Sequence, residues 1–182
     1  VYAIDDAFLT GDAATFGFGS IDEVAAEALA RLNDAIGAPP ALTLGGWSYG
    51  GVVALAMAAR LAAAADGAPS VRAVLLLDAP LGQSAGRGFH RDGADARGAL
   101  VGTLREQLAP LVGGDAAALD DLSAHAAAHF EACNALLDAH DPTAEPRVAC
   151  DLVDVRPPAS ECAFLPSLAP LTDATVHGRA AA

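Results

Sequence analysis

The sequence predicts an α/β fold, a mostly parallel sheet flanked by helices with a helical insertion. Three observations predict it. Strand-like and helix-like stretches alternate from Ala41 to Leu77. Val71 to Leu77 is almost continuously apolar, as a strand buried on both faces of a parallel sheet reads. A capped amphipathic helix precedes the first of these strands, and a long alanine-rich helix joins it to the second.

Taken in order, Val1 to Ile4 is a short apolar stretch, an edge strand or the last piece of one. Ala7 to Gly19 is a loop rich in Gly, Asp and Phe. Ser20-Ile21-Asp22-Glu23 is a capping box, in which Ser20 caps the backbone and Glu23 reaches back. The helix behind it carries Ile21, Val24, Ala28, Leu32 and Ile36 on one face and stops at Gly37-Ala38-Pro39-Pro40. Ala41 to Leu44 is a short buried strand that Gly45-Gly46 should end. A helix follows from Tyr49 to Ala64, then a turn at Asp66-Gly67-Ala68-Pro69, then the Val71 strand.

Gly82 to Gly98 is polar and glycine-rich. Two helices follow, about Ala99 to Leu111 and Asp115 to Ala139. In the second, Leu119, Leu122, Ala126, Phe130, Cys133 and Leu137 form one apolar stripe. Val148 to Val155 reads as a strand ended by Pro157-Pro158. Thr175-Val176-His177 opens another, and Gly178 to Ala182 reads as a frayed end. Residues 1–182 thus read as a single domain with an insertion over about 81–146.

At 182 residues the chain has the length of one domain. With 53% hydrophobic and 18% charged residues it is globular rather than disordered, although much of the apolar share is alanine, which buries little area. The net charge of -13, with no basic run, argues against nucleic acid and against an anionic membrane surface as partners. Cys133, Cys150 and Cys162 fit no metal or disulfide spacing, so they read as buried or half-buried thiols. No metal site is expected. No stretch has the length of a membrane span, and the N-terminus lacks the regions of a signal peptide, so a reducing, cytoplasmic setting is expected. The chain starts at Val1, which suggests a processed, excised or incomplete product.

The chemistry sits in Gly46-Trp47-Ser48-Tyr49-Gly50, a G-x-S-x-G motif with further glycines at 45 and 51. A sharp strand-to-helix turn holds such a serine in a strained backbone and lifts its hydroxyl above the sheet. Small residues two before and two after let strand and helix pass closely. The motif alone is common by chance. Its place between an apolar strand and a long helix makes it a nucleophile elbow rather than a glycine-rich turn with a capping serine. The backbone N–H of Tyr49 would stabilise an oxyanion at the helix N-terminus, with Trp47 beside it as a substrate contact.

Leu44 to Gly51 resembles the elbow of the thioesterase domains that end polyketide synthases and nonribosomal peptide synthetases, members of the α/β-hydrolase superfamily. Val74-Leu75-Leu76-Leu77-Asp78-Ala79-Pro80 resembles the next strand of that family. Tyr2-Ala3-Ile4-Asp5-Asp6 is similar to the segment before the elbow. His129 to Ala132, Ala135 to Leu137 and Pro142 look like the lid of fungal-type polyketide synthase thioesterases. The resemblance covers about 1–155. It implies a partial α/β-hydrolase fold whose lid shapes an acyl chamber. It also implies a serine thioesterase acting on an acyl chain carried by an acyl carrier protein. The phosphopantetheine arm belongs to that carrier, so no cofactor of the chain's own is implied.

A serine needs a base, and the base an orienting acid. The resemblance carries the acid onto Asp78, at the carboxyl end of the strand next to Ser48, where open α/β sheets gather catalytic groups. Asp154, on a later strand, is the alternative. The family's histidine lies in a Gly-Asp-His-Phe-like loop that this sequence lacks. His90 sits in a glycine-rich loop. His125 and His129 lie one helical turn apart with no third ligand, and His140 follows a helix end where a cation suits the dipole. Only His177 comes after the last core strand, so it is the candidate base within the chain. It stands early for the family's order, so the alternative is a histidine beyond Ala182. The second oxyanion donor of the family would precede Val1. Both ends therefore read as those of an internal fragment or of an incompletely delimited gene.

The expected activity is acyl transfer. Ser48 takes an acyl chain from the carrier thioester, and water or an internal nucleophile releases it. Two alternatives share the elbow: a free-standing carboxylesterase or lipase, and a non-catalytic remnant of the fold.

Overall fold

The computed structural model of the chain describes residues 1–6, 8, 17–64, 67–81, 94–156 and 171–180. His90, Cys162, Pro157-Pro158 and most of the Ala7 to Gly19 loop lie outside them. The chain divides into two compact units, Val1–Gly17 with Arg87–Asp138 and Phe18–Gly86 with Ala139–Ala182.

The second unit holds the sheet. Its elements are α1 (Ile21–Ile36), β1 (Ala41–Trp47), α2 (Tyr49–Ala63), β2 (Ser70–Leu77), β3 (Asp151–Arg156) and β4 (Val176–Ala180). The strands are all parallel and lie in chain order, β1-β2-β3-β4. α2 packs on β1 and β2, and α1 packs on α2.

Ser20 caps α1 with extended backbone (φ -154), its Oγ accepting from the Glu23 N–H at 3.1 Å. Glu23 Oε2 accepts from Gly19 N–H at 2.7 Å, so the box closes one residue earlier than the pattern predicts. Ile21, Ala25, Ala28 and Leu32 are the buried face, and Gly37 ends the helix at φ 71. α2 is buried continuously from Gly51 to Ala59. That is why its sequence is apolar all round rather than striped.

Two expectations about the strands change. Gly45-Gly46 does not end β1, which runs on to Trp47. The glycines are there because of their neighbours: a Cβ on Gly46 would stand 2.2 Å from the Gly50 backbone, and one on Gly45 3.0 Å from Leu75 Cβ. β2 is not buried on both faces. Val74 and Leu76 are fully buried, while Leu75 and Leu77 on the opposite face are 38% and 41% exposed. The described helices of this unit cover one face, so an apolar run gives alternating burial.

β3 begins three residues later than the apolar pattern suggests. Val148 forms instead an isolated parallel bridge to Thr172. That bridge stitches the start of the β3–β4 pair. Buried Thr172 Oγ1 lies 2.9 Å from the Val148 carbonyl and 2.7 Å from the Cys150 carbonyl, and it accepts from Ala174 N–H at 3.0 Å. Val148 N–H donates to the Leu171 carbonyl and Asp173 N–H to the Val148 carbonyl.

The other unit holds α3 (Ala94–Leu108) and almost all of α4 (Ala116–Ala139). Two ion pairs, Arg97–Glu131 and Arg105–Asp120, bridge them. The predicted stripe of α4 is buried at Cys133 and Leu137 but exposed at Leu122 and Phe130. Val1 to Ile4 forms no strand. The segment it starts is held instead by α4. Phe8 stacks on the His125 ring at 4.2 Å and its carbonyl lies 2.5 Å from His125 Nε2. Asp6 Oδ2 lies 3.1 Å from His129 Nε2.

Three substitutions test this account. Gly46→Ala should cost about 3 kcal/mol or more, because backbone must move. Gly50→Ala, whose Cβ would meet nothing within 4 Å, should change stability by no more than about 1 kcal/mol. Thr172→Val should cost about 1–3 kcal/mol by stranding buried polar groups around it. Denaturant midpoints at unchanged slope check all three.

Candidate active site

The site is built at the carboxyl ends of β1 and β2. Trp47 is the last residue of β1 and Tyr49 the first of α2, so Ser48 alone makes the turn. It does so at φ 51, ψ -124. That lies outside even the left-handed helical region, in territory that favours glycine. The turn is held on both sides. Ser48 N–H donates to the Leu77 carbonyl of β2 at 2.8 Å, and its own carbonyl accepts from Gly51 N–H at 3.0 Å. Glycine is needed at 46 and also at 51, where a Cβ would come within 2.7 Å of Ala79 Cβ. The steric demand therefore falls two before and three after Ser48, not on Gly50.

Ser20 and Ser48 both precede helices, and they differ. Ser20 has extended backbone and a capping hydroxyl. Ser48 has positive φ and makes no side-chain cap hydrogen bond. The capping alternative does not describe Ser48.

Asp78 occupies the same position on the next strand. It follows Leu77, has φ 49, and its N–H donates to the Val155 carbonyl of β3 at 2.8 Å. Among the described residues, only Ser48 and Asp78 combine a side chain with a positive φ. Strain of this kind costs on the order of 1–3 kcal/mol per residue and gathers at functional sites. The register pairs Trp47 with Leu77, so Ser48 and Asp78 stand one strand spacing apart, roughly 5 Å. Both are half-buried.

The other predicted residues are placed as follows. Tyr49 opens α2, so its N–H belongs to the positive end of the helix dipole beside Ser48. Trp47 alternates to the face away from α2 and is 72% exposed. Asp154 is buried on β3, level with Leu76 and Gly46 and on the same face as Leu152. It sits below the row of Ser48 and Asp78.

His177 is not brought to the site. It pairs with Val153, which pairs with Leu75, which pairs with Gly45. It is thus three strands across from Ser48 and three residues lower, on the order of 17 Å away. Its Nε2 lies 3.7 Å from Asp151 Oδ2 instead. The error arose from chain order, since coming after the last core strand is not the same as reaching its carboxyl end. His140 belongs to the other end of α2, beside the Arg60–Asp22 pair. Burial pushes its ring below the ordinary histidine range, and Asp141 and Asp22 only partly oppose this. That cluster of His140, Asp22, Arg60 and Glu145 left no sequence signal, because its members come from three separate segments.

Cys133 and Cys150 are buried, and burial raises the Cys150 thiol above its ordinary range. Among the described residues, no group of three or more His, Cys, Asp or Glu is placed to hold a metal ion. No described helix is long and apolar enough to cross a membrane.

The family model described as Thioesterase domain matches residues 12–144. Among solved structures, a NocB thioesterase domain in covalent complex with a fluorophosphonate nocardicin G analogue is 22% identical, with a TM-score of 0.61; the match covers 98% of this chain and 71% of that one. The RedJ thioesterase from the prodiginine pathway of Streptomyces coelicolor is 22% identical at a TM-score of 0.55, over 90% of this chain and 59% of that one. The type II thioesterase BorB from the borrelidin biosynthetic cluster is 19% identical at 0.59, over 90% and 64%. At these identities the likeness is one of fold. The chain spans less than two thirds of the RedJ and BorB chains. No curated protein matches it significantly.

The strain at residue 48 can be measured. Ser48→Gly and Ser48→Ala both lack the hydroxyl and differ in tolerance of φ 51. The glycine variant should be the more stable by about 1–2 kcal/mol in denaturant unfolding. Equal stabilities would mean that the turn is not strained.

Proposed function

The chain belongs to the thioesterase-domain family, and on that premise we propose that it releases an acyl chain from a carrier-protein thioester through an acyl-serine on Ser48. Ser48 Oγ bonds to the thioester carbonyl carbon, the carbon–sulfur bond breaks, and the pantetheine thiol leaves with the proton taken from Ser48. Water or an internal nucleophile then frees the acyl chain. The oxyanion that forms in each half-reaction would face the Tyr49 N–H. Asp78 would orient the base. The partner is an acyl carrier protein, and the phosphopantetheine is its own, so the chemistry needs no resident cofactor. We place the reaction in the cytoplasm, a compartment that suits a reduced Cys150 thiol.

What carries this reading is the pairing of Ser48 and Asp78, strained side by side on neighbouring strand ends. Ser48 needs a base that approaches from the carboxyl ends of the strands. His177 is not proposed for that role. The candidate by chain order is His90, in the sequence between β2 and α3.

Labelling with a fluorophosphonate probe, read by intact mass, tests the reading. Folded wild type should label once, and Ser48→Ala should abolish the label. Asp78→Asn should slow labelling by about 10-fold or more, and His177→Ala should leave it unchanged. A label that survives Ser48→Ala would move the nucleophile elsewhere. A folded chain that never labels would mean that Ser48 is not activated in it.

A further inference from the structure

The chain passes from the helical unit to the sheet unit between Asp138 and Ala139, at the last turn of α4. The residues that follow, from His140 to Arg147, lead to the Val148 bridge and β3. Side chains from three parts of the sheet unit meet on this joint. Asp22 comes from the first turn of α1, Arg60 from the last turn of α2, and His140 and Glu145 from the joint itself. Arg60 Nη1 donates to Asp22 Oδ1 at 2.5 Å, and His140 Nδ1 lies 4.0 Å from Glu145 Oε1. Asp22, Arg60 and Glu145, with Ala63, Ala64 and Pro146, line a cleft of about 410 Å³. Asp141, next to His140, is turned toward Thr143, accepting from its N–H at 2.9 Å and its hydroxyl at 2.7 Å. The His140 side chain is only 11% exposed.

We infer that the joint between α4 and β3 is an acid-sensitive catch, closed around an uncharged His140 and loosened when His140 takes a proton.

The charges facing His140 are Asp22 from α1 and Asp141 and Glu145 from the joint, while Arg60 from α2 acts on Asp22 and Glu145. Burial disfavours an imidazolium more than Asp141 and Asp22 favour it, so the ring is held below its usual range. An opened joint therefore binds the proton more readily than the closed one. The stability that neutral His140 lends is whole above its ordinary value of 6.5 and is lost as the pH falls below it. Glu145 works in the opposite sense. Burial, and then Asp22, raise it above its ordinary 4.5, so its proton uptake favours the closed joint. Asp141, lowered by its hydrogen bonds to Thr143, gives up its contribution only below 3.8. The loosening window thus begins just under 6.5 and belongs to His140, with Glu145 limiting it on the acid side.

This inference does not depend on the acyl-transfer reading, and its test reads structure. Amide hydrogen exchange of the whole chain, corrected for intrinsic rates, is followed from about pH 5 to pH 8. Peptides over 139–148 should lose protection several-fold below 6.5 while those over 52–59 of α2 hold theirs. His140→Gln, neutral throughout, should remove the step. A flat profile in wild type, or a step that persists in His140→Gln, overturns the inference. Should His140→Gln fail to fold, the ring resonance of His140 in wild type decides. A midpoint below 6.5 supports the catch, and one at or above 6.5 overturns it.

Discussion

The site depends on one close approach. The β1 backbone at Gly46 and the α2 backbone at Gly50 and Gly51 lie so near that no Cβ fits between them. A strand and a helix can pass that closely only if the chain turns in one residue, and that residue must leave the ordinary regions of backbone space. Ser48 is that residue. Its φ of 51 follows from the packing of α2 on the sheet, not from any preference of serine. The stability of the turn comes from α2, whose nine residues from Gly51 to Ala59 are buried. A strained turn persists where the surroundings over-determine it. Here they do so by helix burial below the turn and by the Ser48–Leu77 backbone hydrogen bond beside it.

The same ladder of hydrogen bonds extends one strand further. Ser48 N–H reaches the last carbonyl of β2, and Asp78 N–H reaches Val155 on β3. Each strained residue therefore hangs from its neighbour strand. Displacing β3 would disturb Asp78 first and Ser48 next. The Thr172 stitch at the far end of β3 matters to the site in this sense, because it helps fix the register that reaches Val155.

Much of this was legible in the sequence, and the legible parts share a cause. The capping box, the apolar runs and the G-x-S-x-G spacing are local, and local pattern is what a sequence states directly. β1, α2 and β2 fell within a residue or a few of their predicted ends. What failed was non-local. Gly45 and Gly46 look like strand breakers until Leu75 and Gly50 are seen beside them. Leu75 and Leu77 look buried because nothing in a run of leucines says which face a helix will cover. Val1 to Ile4 looks like a strand, but the segment it opens is held by His125 and His129, residues far along the chain. His177 failed for the same reason: sequence order gives its strand, and only the register gives its level.

α2 joins the two regions of interest in the sheet unit. Ser48 stands at its first turn, and Arg60 with its Asp22 partner stands in its last. The separation is roughly 18 Å at a helical rise of about 1.5 Å per residue. The Debye length at physiological ionic strength is about 8 Å, so a proton gained by His140 changes the field at Ser48 very little where solvent intervenes. Through solvent, the acid-sensitive joint is therefore a weak electrostatic influence on Ser48. α2 offers no mechanical route either, since it is buried from Gly51 to Ala59 and close-packed elements do not deform gradually. Whatever the joint does must pass through the chain it holds, which is α4 on one side and β3 on the other. Of these, β3 is tied to the site through Val155 and Asp78. A displacement passed along β3 would therefore reach Asp78 before Ser48.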